Sequence, residues 1–250
     1  MTRFFVRPDQ IRDGIALLEA DDAHHLRTVL HAQPGEKISI LDGSGMEWPA
    51  VLTELGKTKA AAQLREPFAP ETEPTFSITV AQALPKMAEK MEQVIQRGTE
   101  IGASGFWAYE SERSLEHLTG ERQEKRLSRL TAIVKTAAEQ AHRAILPTLR
   151  LNGNFRDVLG EAGRYDLSLI ADDGEQGVYL RQALNALSQP PKTLLIIVGP
   201  ESGFTRDEVK AAHKSNAQSV SLGPRTLRTE TAALLMVSQI LYALEPSSVR

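Results

Sequence analysis

The sequence predicts an α/β protein: a C-terminal parallel sheet covered by helices, preceded by a small strand-rich barrel. Three observations predict it. Residues 1 to 66 read mostly as short strands punctuated by turns, which suits a compact barrel of the kind that often binds RNA or another chain. From residue 75 apolar strand-length runs alternate with helical patterns, the mark of a parallel sheet buried on both faces. Between them lies EPFAPETEP, residues 66–74, where Pro67, Pro70 and Pro74 make a short, stiff, polar linker. The expected domains are therefore 1–68 and 75–250.

In the first segment KISIL (37–41), MEWPAVLTEL (46–55) and KTKAAAQLRE (57–66) are strand-length, with Asp42-Gly43-Ser44-Gly45 as a turn. Asp21 or Asp22 suits the N-cap of a helix, AHHLRTVLHA, that ends at Pro34-Gly35. In the second segment strands are expected at 76–84, 105–109, 165–171, 193–199 and 219–223. Helices are expected at 86–102, 121–143, 177–188, 205–217 and 230–244. On the first of these, Met87, Met91, Val94, Ile95, Gly98 and Ile101 share one face. Lys86, Lys90, Gln93 and Arg97 form a separate narrow stripe, explained by a solvated face or by a ridge that touches phosphate.

Bulk properties narrow the function classes. With 250 residues, 41% hydrophobic and 24% charged, the composition is that of a folded soluble protein. There is no cysteine, so disulfides, zinc fingers and thiol catalysis are excluded. The six histidines are scattered without HExxH-like spacing, and no metal site is expected. MTRFFVRPDQ lacks the apolar run of a signal peptide, and no stretch approaches the roughly 18 apolar residues of a membrane span. A cytoplasmic location is the expectation. The formal net charge of −3 argues against a protein that coats nucleic acid by charge alone, and leaves room for a local basic patch.

Ligands of open α/β sheets bind at the carboxyl ends of strands. At one such end LLIIVGPESGFTRDEV (194–209) runs a buried-looking strand into Gly199-Pro200-Glu201-Ser202-Gly203. Thr205 and Glu208 then have the spacing of a capping box, so a helix begins near 206. The loop is neither a P-loop nor a GxGxxG fingerprint. Two glycines in such a loop also occur with no ligand at all. At the other end LGPRTLRTETAALL (222–235) places Arg225, Arg228 and Glu230 at the mouth of an apolar segment. Thr229 suits an N-cap. Residues 232–244 carry only Ser238 and Gln239 as strongly polar positions, so that helix is expected to be buried nearly all round, by its own sheet and a second subunit. Glu230 suits a helix's first turn. A surface loop explains the two arginines, but packing does not require them there; a substrate with negative or developing negative charge does.

These residues resemble a known family. Gly199-Pro200-Glu201-Ser202-Gly203-Phe204, then Leu222-Gly223, then Leu227-Arg228-Thr229-Glu230-Thr231-Ala232 are similar to the C-terminal signature of the bacterial 16S rRNA (uracil-N3)-methyltransferases of the SPOUT superfamily. Upstream, Arg97 to Gly102, Ser111-Glu112-Arg113-Ser114, and Ala138-Glu139-Gln140 with Arg143 and Pro147 resemble the family's first helices and loop. His24-His25-Leu26, Val29-Leu30 and the Asp42-Gly43 turn resemble its N-terminal RNA-binding domain, a PUA-like barrel. Ser202 replaces a glycine of the usual GPEGG, Arg97 stands where lysine is commoner, and His31 where arginine is.

The resemblance implies a SPOUT-type sheet with a deep trefoil knot, a homodimer, and S-adenosylmethionine as cofactor. Carried over by position, the cofactor residues are Ile170, Ala171, Gly199, Pro200, Glu201, Gly203, Leu222, Gly223, Leu227, Arg228, Thr229 and Ala232. Arg228 is the candidate for stabilising charge on the acceptor or for meeting the target phosphate. Glu201 and Glu230 are the nearest carboxylates to take the proton; Glu201 is the catalytic candidate, with burial expected to raise its pKa, and either, Glu230 above all, can instead be purely structural. RNA contacts are expected from Arg3, Arg7, His24, Arg27, Lys86, Lys90, Arg113, Arg122 and Arg126. The implied reaction is methylation of uridine N3 in 16S rRNA, at position 1498 of the decoding region, in the assembled 30S subunit. Two alternatives are methylation of another RNA base or a ribose 2′-OH, and a non-catalytic RNA-binding assembly factor.

Overall fold

The computed structural model of the chain describes residues 1–113, 120–172, 174 and 178–245. Ser114 of the Ser111-Glu112-Arg113-Ser114 motif and the first residue of the helix expected at 177–188 lie outside the described residues. The chain divides into two compact units, residues 1–73 with 135–146, and residues 74–134 with 147–250.

The first unit contains β1 (Arg3–Phe5), β2 (Ile11–Arg12), β3 (Ile15–Leu18), α1 (Ala20–His24), β4 (Lys37–Leu41), β5 (Glu47–Leu55) and β6 (Ala60–Leu64). They form one sheet in the order β1-β4-β5-β6-β3-β2. β1 joins β4 in parallel and the other neighbours pair antiparallel. No pairing joins β1 to β2 among the described residues. Side chains alternate along β3: Ala16 and Leu18 are buried, Ile15 and Leu17 exposed. The inward set meets Phe4, Leu26, Ile38, Ile40, Leu52 and Ala62 in a single core.

The helix of this unit differs from the expectation. Glu19, not Asp21 or Asp22, is the N-cap of α1, and both aspartates lie in the first turn, where negative charge suits the N-terminal dipole. The α-helix stops at His24, and a π-type turn over His25–Val29 follows. His31 then takes a positive φ of 52°, ending the helical path before Pro34.

The proline-rich stretch is fixed to this unit and is not a free tether. Phe68 exchanges two backbone hydrogen bonds with Glu47, at 2.8 and 3.0 Å. The Thr72 hydroxyl donates to the His142 carbonyl at 2.9 Å. Glu73 accepts from the buried Arg143 guanidinium at 2.6 Å.

Glu139 gives this unit a pH dependence. Burial pushes its carboxyl from the ordinary 4.5 up to about 7, helped by Asp22 and opposed by the Phe5 N–H and Lys135. The folded chain thus holds a proton that the unfolded chain has released. Stability from this group is full below about pH 4.5 and is lost as pH rises through about 7. The full loss is on the order of 3 kcal/mol. Glu139→Gln keeps an acceptor for Phe5 and is expected to flatten the fall between pH 5 and 8 in urea unfolding. An unchanged slope would show that the carboxyl is not buried as described.

The second unit contains β7 (Ser77–Ala83), α2 (Ala88–Ile101), β8 (Gly105–Glu110), α3 (Glu121–Gln140, its last turn in the first unit), β9 (Thr148–Asn154), α4 (Phe155–Ala162), β10 (Leu167–Ala171), α5 (Leu180–Asn185), β11 (Thr193–Val198), α6 (Arg206–Lys214), β12 (Ala217–Val220) and α7 (Thr229–Leu244). The sheet order is β12-β10-β11-β7-β8-β9, and every pairing is parallel. β11 is buried from Leu194 to Val198, as a strand covered on both faces must be. β9 and α4 are additions to the expected elements: LRLNGN is a polar edge strand, and Asn154 caps α4 in a capping box with Asp157.

The last helix is less enclosed than its composition suggests. Ala233, Met236, Val237 and Ile240 are fully buried, but Leu234 and Leu235 are half-buried and Ser238, Gln239 and Tyr242 exposed. The two polar residues share a side of the helix that its own sheet does not cover. Arg228 is the N-cap residue and Thr229 opens the helix, because the Thr229 hydroxyl is engaged elsewhere.

Candidate active site

The carboxyl ends of β10, β11 and β12 open into one cavity of about 350 Å³. Ala171 and Asp172 line it after β10. Val198 to Glu201, Gly203 and Phe204 line it after β11, and Val220 to Gly223 and Arg225 to Thr229 after β12. Ala232 of α7 and Lys90 of α2 complete the wall. β10 lies between β11 and β12 in the sheet, so both loops emerge beside one strand end, where open α/β sheets bind ligands.

The loop after β11 is shaped by two glycines. A Cβ on Gly199 would meet three Phe204 ring atoms at 3.1 to 3.3 Å, so the backbone comes as close to that ring as glycine allows. Gly203 carries the positive φ of 66°, and its N–H donates to the Pro200 carbonyl at 2.9 Å. Ser202 is not among the positive-φ residues, so a side chain there adds no backbone strain. The expected capping box is present: Thr205 Oγ1 accepts from the Glu208 N–H at 3.1 Å, and Glu208 accepts from the Thr205 N–H at 2.8 Å.

A buried network ties the two loops together. Gln82 of β7 is fully buried, and its Nε2 donates to Thr229 Oγ1 at 2.8 Å and to the Ala83 and Gly199 carbonyls at 3.1 and 3.3 Å. The Thr229 hydroxyl donates in turn to the Gly199 carbonyl. Tyr109 Oη donates to the Val198 carbonyl at 3.0 Å, and burial pushes its pKa well above the ordinary value, so it stays a donor. Sequence reasoning missed Gln82. Its only signal is an amide inside the apolar run FSITVAQAL.

Charge concentrates on one wall. Lys90 Nζ donates to Glu201 Oε1 at 2.8 Å and lies 3.8 Å from the largely buried Glu230 carboxylate. Partial burial alone would raise the Glu201 pKa, but Lys90 and backbone N–H groups outweigh it and hold the carboxyl below its ordinary value. The expectation of a raised pKa is thereby corrected: the partner charge wins over desolvation.

The cavity gathers all of the expected cofactor residues except one. Ile170 is fully buried in the core behind Ala171, and its side chain packs in the sheet's apolar cluster. Among the expected RNA-contacting residues, Arg3 is half-buried against Glu47 at 3.2 Å, and Arg7 is exposed but paired with Glu19 at 2.7 Å. His24, Arg27, Lys86 and Arg122 are exposed, and Arg126 is half-buried. Arg113 donates to the Ser202 carbonyl at 2.7 Å. Among the described residues there is no cluster of three metal-ligating side chains, and no helix is long and apolar enough to cross a membrane.

A six-stranded parallel sheet with a cavity at its strand ends, in a chain that begins with a small curled sheet, is the architecture of a PUA-bearing RNA methyltransferase. The RNA methyltransferase domain model matches residues 71–241, and the RNA methyltransferase PUA domain model matches residues 18–65. The chain belongs to the ribosomal RNA small subunit methyltransferase E family. It is 32% identical to the Bacillus subtilis member, with 98% of each chain covered. Against the Synechocystis member identity is 34%, over 97% of this chain and 78% of the relative. Two solved structures superpose closely. The Neisseria gonorrhoeae ribosomal RNA small subunit methyltransferase E bound to S-adenosyl methionine gives a TM-score of 0.85 at 30% identity, with 97% of each chain covered. A Legionella pneumophila putative methyltransferase in complex with the same cofactor gives 0.87 at 28% identity, again with 97% of each covered.

Proposed function

We propose that the protein methylates N3 of a uridine in 16S rRNA, at position 1498, within the assembled 30S subunit, with S-adenosylmethionine as methyl donor. The observation that carries the reading is the cavity itself, formed by two main-chain-rich loops beside the charged Lys90–Glu201 wall. The residues fit the donor. The Gly199–Gly203 loop presents main chain to the cavity, and Leu222, Leu227 and Ala232 offer apolar surface. No phosphate-binding fingerprint is present, and the donor has no phosphate. Two relatives that superpose over nearly the whole chain hold this cofactor.

S-adenosylmethionine supplies an electrophilic methyl on a sulfonium; everything else falls to the side chains. Uracil N3 carries a proton and is a poor nucleophile until that proton leaves, whereupon charge spreads over O2 and O4. Arg228 lines the cavity at its exposed side, which supports the role of meeting that charge. Glu201, held charged by Lys90, is a weak proton acceptor and serves mainly to fix the lysine. The proton is therefore assigned to solvent and not to Glu201. His24, Arg27 and Arg122 are exposed donors suited to rRNA phosphates. The chain pairs as a homodimer and carries the trefoil knot in the same reading. The uncovered side of α7 supports the first, and the meeting of the two loops at one cavity supports the second. A cytoplasmic location follows from the substrate.

The acceptor is tested by labelled methyl transfer to 30S subunits and to protein-free 16S rRNA, both from cells lacking the gene. Incorporation is expected into 30S subunits and not into bare rRNA. Equal incorporation into both would remove the assembled-subunit part of the reading.

A further inference from the structure

Two carboxylates among the described residues line the cofactor cavity, and they differ in what holds them. Glu201 is taken: Lys90 Nζ donates to it at 2.8 Å and the Lys86 N–H to both of its oxygens at 3.3 Å. Asp172, the first residue after β10, is half-buried and less committed. Its Oδ1 accepts from the Gly174 N–H at 3.0 Å. Among the described residues its Oδ2 has no hydrogen-bond partner, and no Lys, Arg or His forms an ion pair with it. Asp172 also lies outside the set of cofactor residues that the family resemblance supplies.

The strand fixes where this group stands. Ala171 pairs with Val220 in the β10–β12 register, and the Asp172 N–H then donates to the Val220 carbonyl at 3.1 Å. The backbone is thus held at the cavity rim, and one held oxygen limits rotation of the carboxylate. The other oxygen is left as an acceptor with no donor of the chain's own. A half-buried, unpaired carboxylate oxygen costs free energy that the donors of a ligand recover.

S-adenosylmethionine offers two kinds of donor, the ribose hydroxyls and the α-ammonium. The ammonium shares its carbon with a carboxylate, so the amino-acid end needs a cation and an anion side by side. Lys90 and Glu201 supply such a pair, and Asp172 has no cation beside it. A diol needs acceptors alone, and a carboxylate can take two hydroxyls. An acidic side chain near a strand's carboxyl end holds ribose hydroxyls in the dinucleotide-binding α/β folds for the same reason.

We propose that Asp172 holds the ribose of the cofactor, its carboxylate accepting from the 2′- and 3′-hydroxyls. The assignment rests on the cofactor and is independent of which RNA atom is methylated.

The test is calorimetry of the full chain with S-adenosylhomocysteine and with 5′-methylthioadenosine, which keeps the ribose and lacks the amino-acid end. Asp172→Ala is expected to weaken both by at least about tenfold. Asp172→Asn keeps an acceptor for the Gly174 N–H and should recover part of the loss. Direct contact is read by displacing S-adenosylhomocysteine with adenosine and with its 2′-deoxy and 3′-deoxy forms. The wild type should prefer adenosine to at least one deoxy form, and Asp172→Ala should not discriminate. Unchanged affinities in the alanine variant would overturn the assignment. So would a loss confined to S-adenosylhomocysteine, which would move the carboxylate to the α-ammonium, or a preference for adenosine that survives in Asp172→Ala. Wild-type protein that binds neither ligand would overturn the cofactor itself, a failure distinct from these.

Discussion

Gly199→Val is expected to abolish S-adenosylmethionine binding. A Cβ at this position sits 3.1 to 3.3 Å from three atoms of the Phe204 ring, and valine adds two methyl groups beyond it. Phe204 cannot easily yield, because it packs on Phe155 with ring centroids 5.5 Å apart at the edge of the sheet's core. The loop must move instead, and with it the Gly199 carbonyl that accepts from Gln82 and Thr229. Both walls of the cavity depend on that carbonyl. We expect calorimetric affinity to fall by at least about 100-fold, a change on the order of 2.7 kcal/mol. Gly199→Ala should lie between valine and wild type, because a methyl alone needs only a few tenths of an ångström from the ring. Wild-type affinity in the valine variant would remove this loop from the cofactor site.

Arg228→Ala is expected to separate turnover from cofactor binding. Its side chain lines the cavity yet is exposed, and its N-cap position is held by backbone geometry with no side-chain cap. Removing it should leave α7 and the Gln82–Thr229 network in place. Loss of a positioned donor to developing charge lowers kcat by about 100-fold or more. S-adenosylmethionine affinity should change by less than about threefold, under 1 kcal/mol. Retained turnover would assign the charge stabilisation elsewhere, and a collapse of cofactor binding would make Arg228 part of the donor pocket.

Much of the second unit is legible in the sequence because its strands are buried on both faces. Apolar runs such as TLLIIV need no partner to be recognised, and Thr205 with Glu208 marks the start of α6 by spacing alone. The strands that escape notice are short or polar: β1, β2 and β3 hold two to four residues each, and β9 is an edge strand whose exposed positions break the apolar pattern. Residues 135–146 belong with the first unit, a relation that a contiguous reading of domains cannot express.

The candidate site divides in the same way. Its glycines and loop arginines stand out as unusual residues at strand ends. Gln82 does not, since only the fold brings β7 beneath Gly199 and Thr229. Lys90 and Glu201 are 111 positions apart, and their contact reverses the pKa argument that burial alone would make. Ile170 errs in the opposite sense: the end of β10 does reach the cavity, but through Ala171, while the period of two turns Ile170 into the core.

The identity of the methylated atom decides between the reactions open to this cavity. The most direct measurement is mass-spectrometric nucleoside analysis of 16S rRNA, taken from 30S subunits of cells lacking the gene before and after incubation with purified protein and S-adenosylmethionine. 3-Methyluridine is expected to appear, to map to a single decoding-region uridine, and to be absent when Arg228→Ala protein is used. A methyl group on another base, on a ribose 2′-oxygen, or on no nucleoside at all would contradict it.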